Sequence, residues 1–148
     1  MGDNKTKILL LSSSASVPQR ATIGSGAYDL RADISCELTI LPGEFASIPT
    51  GIAIELPKKK YVALIFSRSG MGMKHGVALV NSVGVIDSDY RGEICVGLIN
   101  HGKEAYTVLP NDRIAQMMFV KSRSMDFETV SKLTSTERGT GGFGSTGI

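Results

Sequence analysis

The side chains best suited to chemistry fall into four short polar clusters and a glycine-rich terminus. Ser67-Arg68-Ser69-Gly70 offers a guanidinium, two hydroxyls and flexible backbone amides within four residues. That set suits a polyphosphate, which takes charge-assisted bonds from a planar guanidinium and further bonds from amides and hydroxyls. Gly84-Val85-Ile86-Asp87-Ser88-Asp89-Tyr90-Arg91-Gly92 reads as a hairpin carrying two acids and an aromatic ring. Asp29 stands among apolar neighbours in Ala27-Tyr28-Asp29-Leu30-Arg31-Ala32-Asp33, and Asp112-Arg113-Ile114-Ala115-Gln116 adds an arginine and an amide beside a strand. Residues 138–148 hold five glycines and almost nothing that could form a core. Such a segment is either a frayed tail or a mobile arm, and Arg138, Phe143, Ser145 and Thr146 suit charge pairing, base stacking and phosphate binding.

Several chemistries are absent. No Gly-Lys-Ser/Thr ending makes a phosphate loop, and the terminal glycines open no helix, so there is no dinucleotide fingerprint. His75 and His101 lie in polar turns without metal-ligand spacing, and no Ser or Cys has a nucleophile setting. Cys36 and Cys95 are far apart and each sits in an apolar run, which predicts buried free thiols. The net charge of +2 gives no electrostatic case for nucleic acid or an anionic membrane, while a small anionic ligand remains compatible with it. No signal-peptide pattern or bilayer-length apolar run is present, so the expectation is a soluble, cytoplasmic protein.

The elements that must position these clusters are short strands. The 148 residues suit one domain, and glycines and prolines punctuate the chain at close intervals. Ile52 to Leu56 alternates, with Ile52, Ile54 and Leu56 on one face. Pro57-Lys58-Lys59-Lys60 turns, and Tyr61 to Phe66 is an almost wholly apolar strand. Glu93 to Ile99 predicts another strand, with Ile94, Val96 and Leu98 on one side, and Ile114 to Val120 a buried one. His101-Gly102-Lys103 and Pro110-Asn111-Asp112 are turn signals. Strands of this length and spacing predict an all-β sandwich or barrel.

Taken together and in order, the clusters resemble the five signature motifs of the trimeric dUTP diphosphatase family: Ala27–Ala32, Arg68–Gly70, Gly84–Gly92, Asp112–Gln116 and Arg138–Gly147. Pro49-Thr50-Gly51 also matches, so the likeness spans nearly the whole chain. Two departures are visible: Gly26-Ala27 is reversed from the usual order, and Ser67 replaces a common proline before Arg68.

The resemblance implies a jelly-roll-like β-barrel over residues 1–137 and a mobile arm, 138–148, closing over a site shared among the subunits of a homotrimer. It implies hydrolysis of dUTP to dUMP and pyrophosphate with Mg²⁺, by in-line attack of water on the α-phosphorus. Asp87 would activate the water, and Asp29 would accept hydrogen bonds from waters of the ion. Arg68, Ser69, Gly70 and Gln116 would hold phosphates, joined by Arg138, Gly144, Ser145 and Thr146 from the arm. Uracil would be read by Asn81 and the backbone of Gly84–Ile86 and stacked upon by Phe143, while Tyr90 would leave no room for a ribose 2′-hydroxyl. Asp89, Arg91 and Arg113 are read as structural, pairing among themselves. The rivals are a dCTP deaminase of the same fold, which would need a different third motif, and a catalytically silent trimeric nucleotide-binding module.

Overall fold

The computed structural model describes residues 5–57 and 60–142. In chain order the strands are β1 (Lys7–Leu10), β2 (Tyr28–Arg31), β3 (Leu38–Ile40), β4 (Phe45–Pro49), β5 (Ile52–Glu55) and β6 (Tyr61–Phe66). A helix, α1 (Ser69–His75), follows, then β7 (Val77–Leu79), β8 (Val83–Ile86), β9 (Cys95–Asn100), β10 (Tyr106–Val108) and β11 (Arg113–Lys121). The strands pair antiparallel in four sheets, ordered β2-β11-β6-β8, β4-β9-β7, β1-β5 and β10-β3. The fold is thus nearly all β, as the short alternating runs predict.

The core follows from the strand period. Ile94, Val96 and Leu98 point inward together, and with Ile40, Ile48, Ile52 and Ile114 they are fully buried. Burial of each such side chain stabilises by roughly 1.5–3 kcal/mol. In β5 the expected alternation is exceeded, because Ala53 is buried along with Ile52 and Ile54. Strand β1 pairs along one edge of β5. The Ile114–Val120 strand is present within β11, which lies between β2 and β6 and is therefore paired on both edges.

Three expectations need correction. Ser69 and Gly70 are not in a flexible loop but open α1, whose Met71 is buried against the core. Gly76 ends the helix in the left-handed conformation (φ 70°), the usual role of a glycine at that position, and Lys74 and His75 lie in the last turn. His75 is therefore helical, with its ring 5.1 Å from that of Tyr106.

The Gly84–Gly92 segment is not a hairpin. β8 pairs with β6, whereas β9 pairs with β4 and β7, so the chain changes sheets between them. The buried side of β9 matches Ile48 of β4 in register with Val96, which draws the strand away from β8.

Cys36 and Cys95 are exposed in the subunit, not buried. With Val96 facing the core, a period of two turns Cys95 outward, and partial burial, then Glu93, pushes its thiol pKa up against a lowering bond with Ser47.

Candidate active site

One transverse row across the four-stranded sheet gathers much of the polar chemistry. Asp29 of β2 pairs in register with Gln116 of β11, Gln116 with Phe66 of β6, and Phe66 with Val83 of β8. Arg68 leaves β6 two residues later. The backbone of Asp29 is further fixed by its N–H bond to the Gln19 carbonyl (2.9 Å).

The side chains at this end of the sheet are already engaged. Arg68 Nε lies 3.6 Å from Asp29 Oδ1, and Arg113 Nη1 donates to Asp29 Oδ2 at 3.2 Å. Arg68 Nη1 also donates to the Arg113 carbonyl at 2.9 Å. With Asp29 only 18% exposed and Arg68 25%, this is a half-buried charge cluster with an excess of one positive charge among its three ions. Gln116 Nε2 donates to the Ser67 carbonyl at 2.9 Å, and Ser67 Oγ accepts the Leu79 N–H at 2.8 Å. The Ser67 hydroxyl thus ties the end of β6 to the turn that carries Asn81. Met71 and Gly72 both donate to the Arg68 carbonyl, leaving the Ser69 and Gly70 N–H groups at the open first turn of α1.

Arg113 does not pair with Asp89 or Arg91; it holds Asp29. Arg91 Nη1 instead donates to the Ser88 and Tyr90 carbonyls, each at 2.9 Å. The structural reading of Arg113 thus keeps its sense with a different partner, Asp29, which β2 brings beside β11.

Asn81 sits in the turn before β8, where Ser82 has φ 61°. A Cβ built on Gly84 would come within 3.8 Å of the Asn81 amide nitrogen and 3.1 Å of Ile65 Cβ. Close packing on Ile65 therefore explains the glycine, while the Asn81 amide lies over it. β8 is the outer strand of its sheet, so half of the peptide groups between Gly84 and Ile86 face away from β6 without a ladder partner.

Asp87 and Tyr90 stand apart from this cluster. Asp87 follows the end of β8 that pairs with Ala63, whereas the Arg68 end of β6 pairs with Val83. Four residues of extended chain put Asp87 about 13 Å along from that row, at ~3.3 Å per residue. Asp87 is exposed. Tyr90 bends back, with its hydroxyl donating to the Glu93 carbonyl at 2.9 Å and its N–H to the Asp87 carbonyl at 3.2 Å.

Arg138 is exposed and bonds locally, through Nε to the Gly141 carbonyl at 3.2 Å. Phe143, Gly144, Ser145 and Thr146 lie outside the described residues. From Ser122 to Gly142 there is no strand, and Met125, Phe127 and Leu133 are 70%, 101% and 80% exposed. An apolar cavity of about 420 Å³ bordered by Ile8, Tyr28, Tyr61 and Phe119 includes none of the polar cluster.

Among the described residues no three of His, Cys, Asp and Glu converge as a metal-ion site requires. That is compatible with the expected Mg²⁺, since this ion keeps several waters and commonly binds through few protein groups. Asp29, with about four lone-pair sites and two guanidinium neighbours, can still accept from such waters.

Residues 13–147 match the dUTPase family. The chain is 53% identical over 132 residues to the deoxyuridine 5′-triphosphate nucleotidohydrolase of Desulfitobacterium hafniense (strain DSM 10664 / DCB-2), covering 89% of this chain and 87% of the relative. That name favours the hydrolase over the deaminase expectation. In three dimensions it is similar to a dUTPase variant of Staphylococcus bacteriophage 80alpha solved with dUpNHpp, at a TM-score of 0.88 and 25% identity over 98% of this chain and 99% of that one. A dUTPase variant from phage phi11 of S. aureus, described with a structural Mg(II) ion, shares the fold at a TM-score of 0.78 and 23% identity, over 87% of this chain and 98% of that one.

Proposed function

Because this chain belongs to the dUTPase family and hydrolyses dUTP to dUMP and pyrophosphate, we propose that its working unit is a homotrimer of jelly-roll-like barrels, residues 1–137, with each active site shared between subunits. The observation that carries this reading is the separation within one subunit. The end of the sheet that carries Arg68 is level with Val83, whereas Asp87 follows Ile86, about 13 Å further along the chain at ~3.3 Å per residue. The exposed Phe127 and Leu133 in the segment before the arm also favour a neighbouring subunit as their cover.

In the assembled site Arg68, Ser69, the Gly70 N–H and Gln116 hold the triphosphate, with Arg138, Gly144, Ser145 and Thr146 brought by the closing arm, 138–148. Asp87 orients the attacking water and takes its proton, and pyrophosphate departs in line. Phosphoryl transfer asks the protein mainly for positioning and charge neutralisation, which half-buried Arg68, exposed Arg113 and open helix N–H groups supply. Asp29 would hold Mg²⁺ by accepting hydrogen bonds from its waters, and the ion would supply further neutralising charge to the phosphates.

The unpaired outer edge of β8 and the Asn81 amide read uracil. Cytosine presents an amino group where uracil has a carbonyl, and the mismatch of buried polar groups rejects it by ~10⁴–10⁵. Thymine is excluded by the closeness of this edge to its 5-methyl group, Phe143 stacks on the base, and Tyr90 shuts out the ribose 2′-hydroxyl.

Complementation tests the shared site. Asp87→Asn with its arm intact and a truncation ending before Arg138 with Asp87 intact should each be inactive. Mixed trimers should regain pyrophosphate release from dUTP, because some sites take Asp87 from one variant and the arm from the other. Verified mixed trimers that stay dead would sink the shared arrangement.

A further inference from the structure

The loop that carries Asp87 and Tyr90 is anchored by residues outside the polar cluster. Glu93 Oε1 accepts the Gly51 N–H at 2.8 Å, while the Glu93 carbonyl accepts the Tyr90 hydroxyl at 2.9 Å. The next residue is fixed twice more: Ile94 N–H donates to the Ile52 carbonyl at 2.9 Å, and the buried Thr50 hydroxyl donates to the Ile94 carbonyl.

The anchor point is itself rigid. Gly51 has φ 65°, and a Cβ there would run into Asp33 Oδ2. Asp33 accepts from the hydroxyls of Ser12 and Ser14 at 2.6 Å each, and the Gly51 carbonyl accepts the Leu11 N–H at 2.8 Å. At the other end, the Tyr90 ring folds so closely over Gly92 that a Cβ on Gly92 would meet its hydroxyl. A continuous path of contacts thus runs from the Gly51 turn through Glu93 to Tyr90, and by the Tyr90 N–H to Asp87.

We infer that Glu93 is a positioning residue for the reaction: its carboxylate, held on the Gly51 N–H, places the Glu93 carbonyl that fixes the Tyr90 ring against the sugar and steadies the Asp87 turn. Selection against ribose then depends on a side chain that touches no substrate. This rests on the reading of Tyr90 as the sugar filter.

The test compares kcat/KM for UTP and dUTP in folded oligomers. Glu93→Ala should raise the UTP/dUTP ratio roughly tenfold, the worth of one net hydrogen bond, and lower kcat on dUTP. Glu93→Gln, whose amide oxygen still accepts from Gly51, should stay near the parent in both. Should Glu93→Ala not assemble, Glu93→Asp, with its carboxylate drawn back by one methylene, should shift the ratio in the same direction and by less. Tyr90→Ala supplies the reference shift. A folded Glu93→Ala or Glu93→Asp with the parental ratio and kcat, beside a shifted Tyr90→Ala, overturns the role of Glu93 alone. A Glu93→Gln as impaired as Glu93→Ala overturns it too, because charge and not acceptance would then matter. An unshifted Tyr90→Ala overturns the sugar filter and this inference together.

Discussion

At one end of the four-stranded sheet Asp29, Arg68, Arg113 and Gln116 are locked in bonds before any substrate arrives; at the other, Asp87 is exposed and has no ion pair among the described residues. In the proposed site the first region would bind the phosphates, and its geometry is set by register across β2, β11 and β6. The second region, which on that reading would meet water and sugar, stands open in the subunit. On the proposed reading, bond-saturated geometry would go with holding phosphate, and exposure with a step completed by a neighbouring subunit.

The strongest challenge to this contrast is Asp87→Asn. Turnover should fall by ~10²–10⁴ or more, as for loss of a general base, while titration calorimetry with a non-hydrolysable dUTP analogue and Mg²⁺ should give near-parental affinity. Near-normal turnover would show that the exposed region does not carry the chemistry.

Asp29→Asn should do the reverse, acting on stability as well as substrate. Removing the anion strands two guanidinium groups, one of them only 25% exposed, and should lower unfolding stability by about 1–3 kcal/mol once solvent screening is allowed for. Urea denaturation checks this, and KM for dUTP should rise. Unchanged stability would mean that the cluster is not bond-saturated in solution.

Gln116→Ala removes the bond to the Ser67 carbonyl that joins β11 to the end of β6. About 1 kcal/mol of stability and roughly tenfold in kcat/KM should be lost, without a change in the UTP/dUTP ratio. A shifted ratio would blur the line between the two regions.

The smallest effect belongs to a pair outside both. Lys7 donates to Glu55 at 2.8 Å and, first by that bond and then by its charge, holds the Glu55 pKa below 4.5. A depressed carboxyl pKa contributes stability above the unfolded value, and this is lost as pH falls through the lowered folded one. Lys7→Met should therefore cost little near neutrality, and the difference from the parent should fade below pH 4.5. kcat should not move at any pH.

What was legible in the sequence was what local period decides. The Ile94/Val96/Leu98 side of β9, the apolar β6 and the Ile114–Val120 strand all follow from side-chain alternation. Partner choice did not follow, because pairing is set by distant residues: β8 and β9 are adjacent in sequence yet join different sheets. Cys95 was expected to be buried from its apolar neighbours, although the alternation that points Ile94, Val96 and Leu98 inward turns it outward. Ordered motifs singled out Asp29, Arg68 and Gln116, which the structure brings to one end of the sheet, but the partner of Arg113 emerged only with β11 beside β2, and Glu93 drew no notice because its side chain bonds a distant backbone N–H.

The outer position of β8 also matters before any nucleotide is met. Val83–Ile86 has neither lysine nor proline to blunt it, and Val85 is 58% exposed. Such an edge is a template for another chain's strand, the opening step of edge-to-edge aggregation. In the proposed trimer, assembly would compete with misassembly: a subunit that folds faster than it finds partners would present this strand to whatever chain it meets first. The peptide groups that suit the strand to reading a base are the same ones that make an unassembled subunit hazardous, and the hazard grows with concentration.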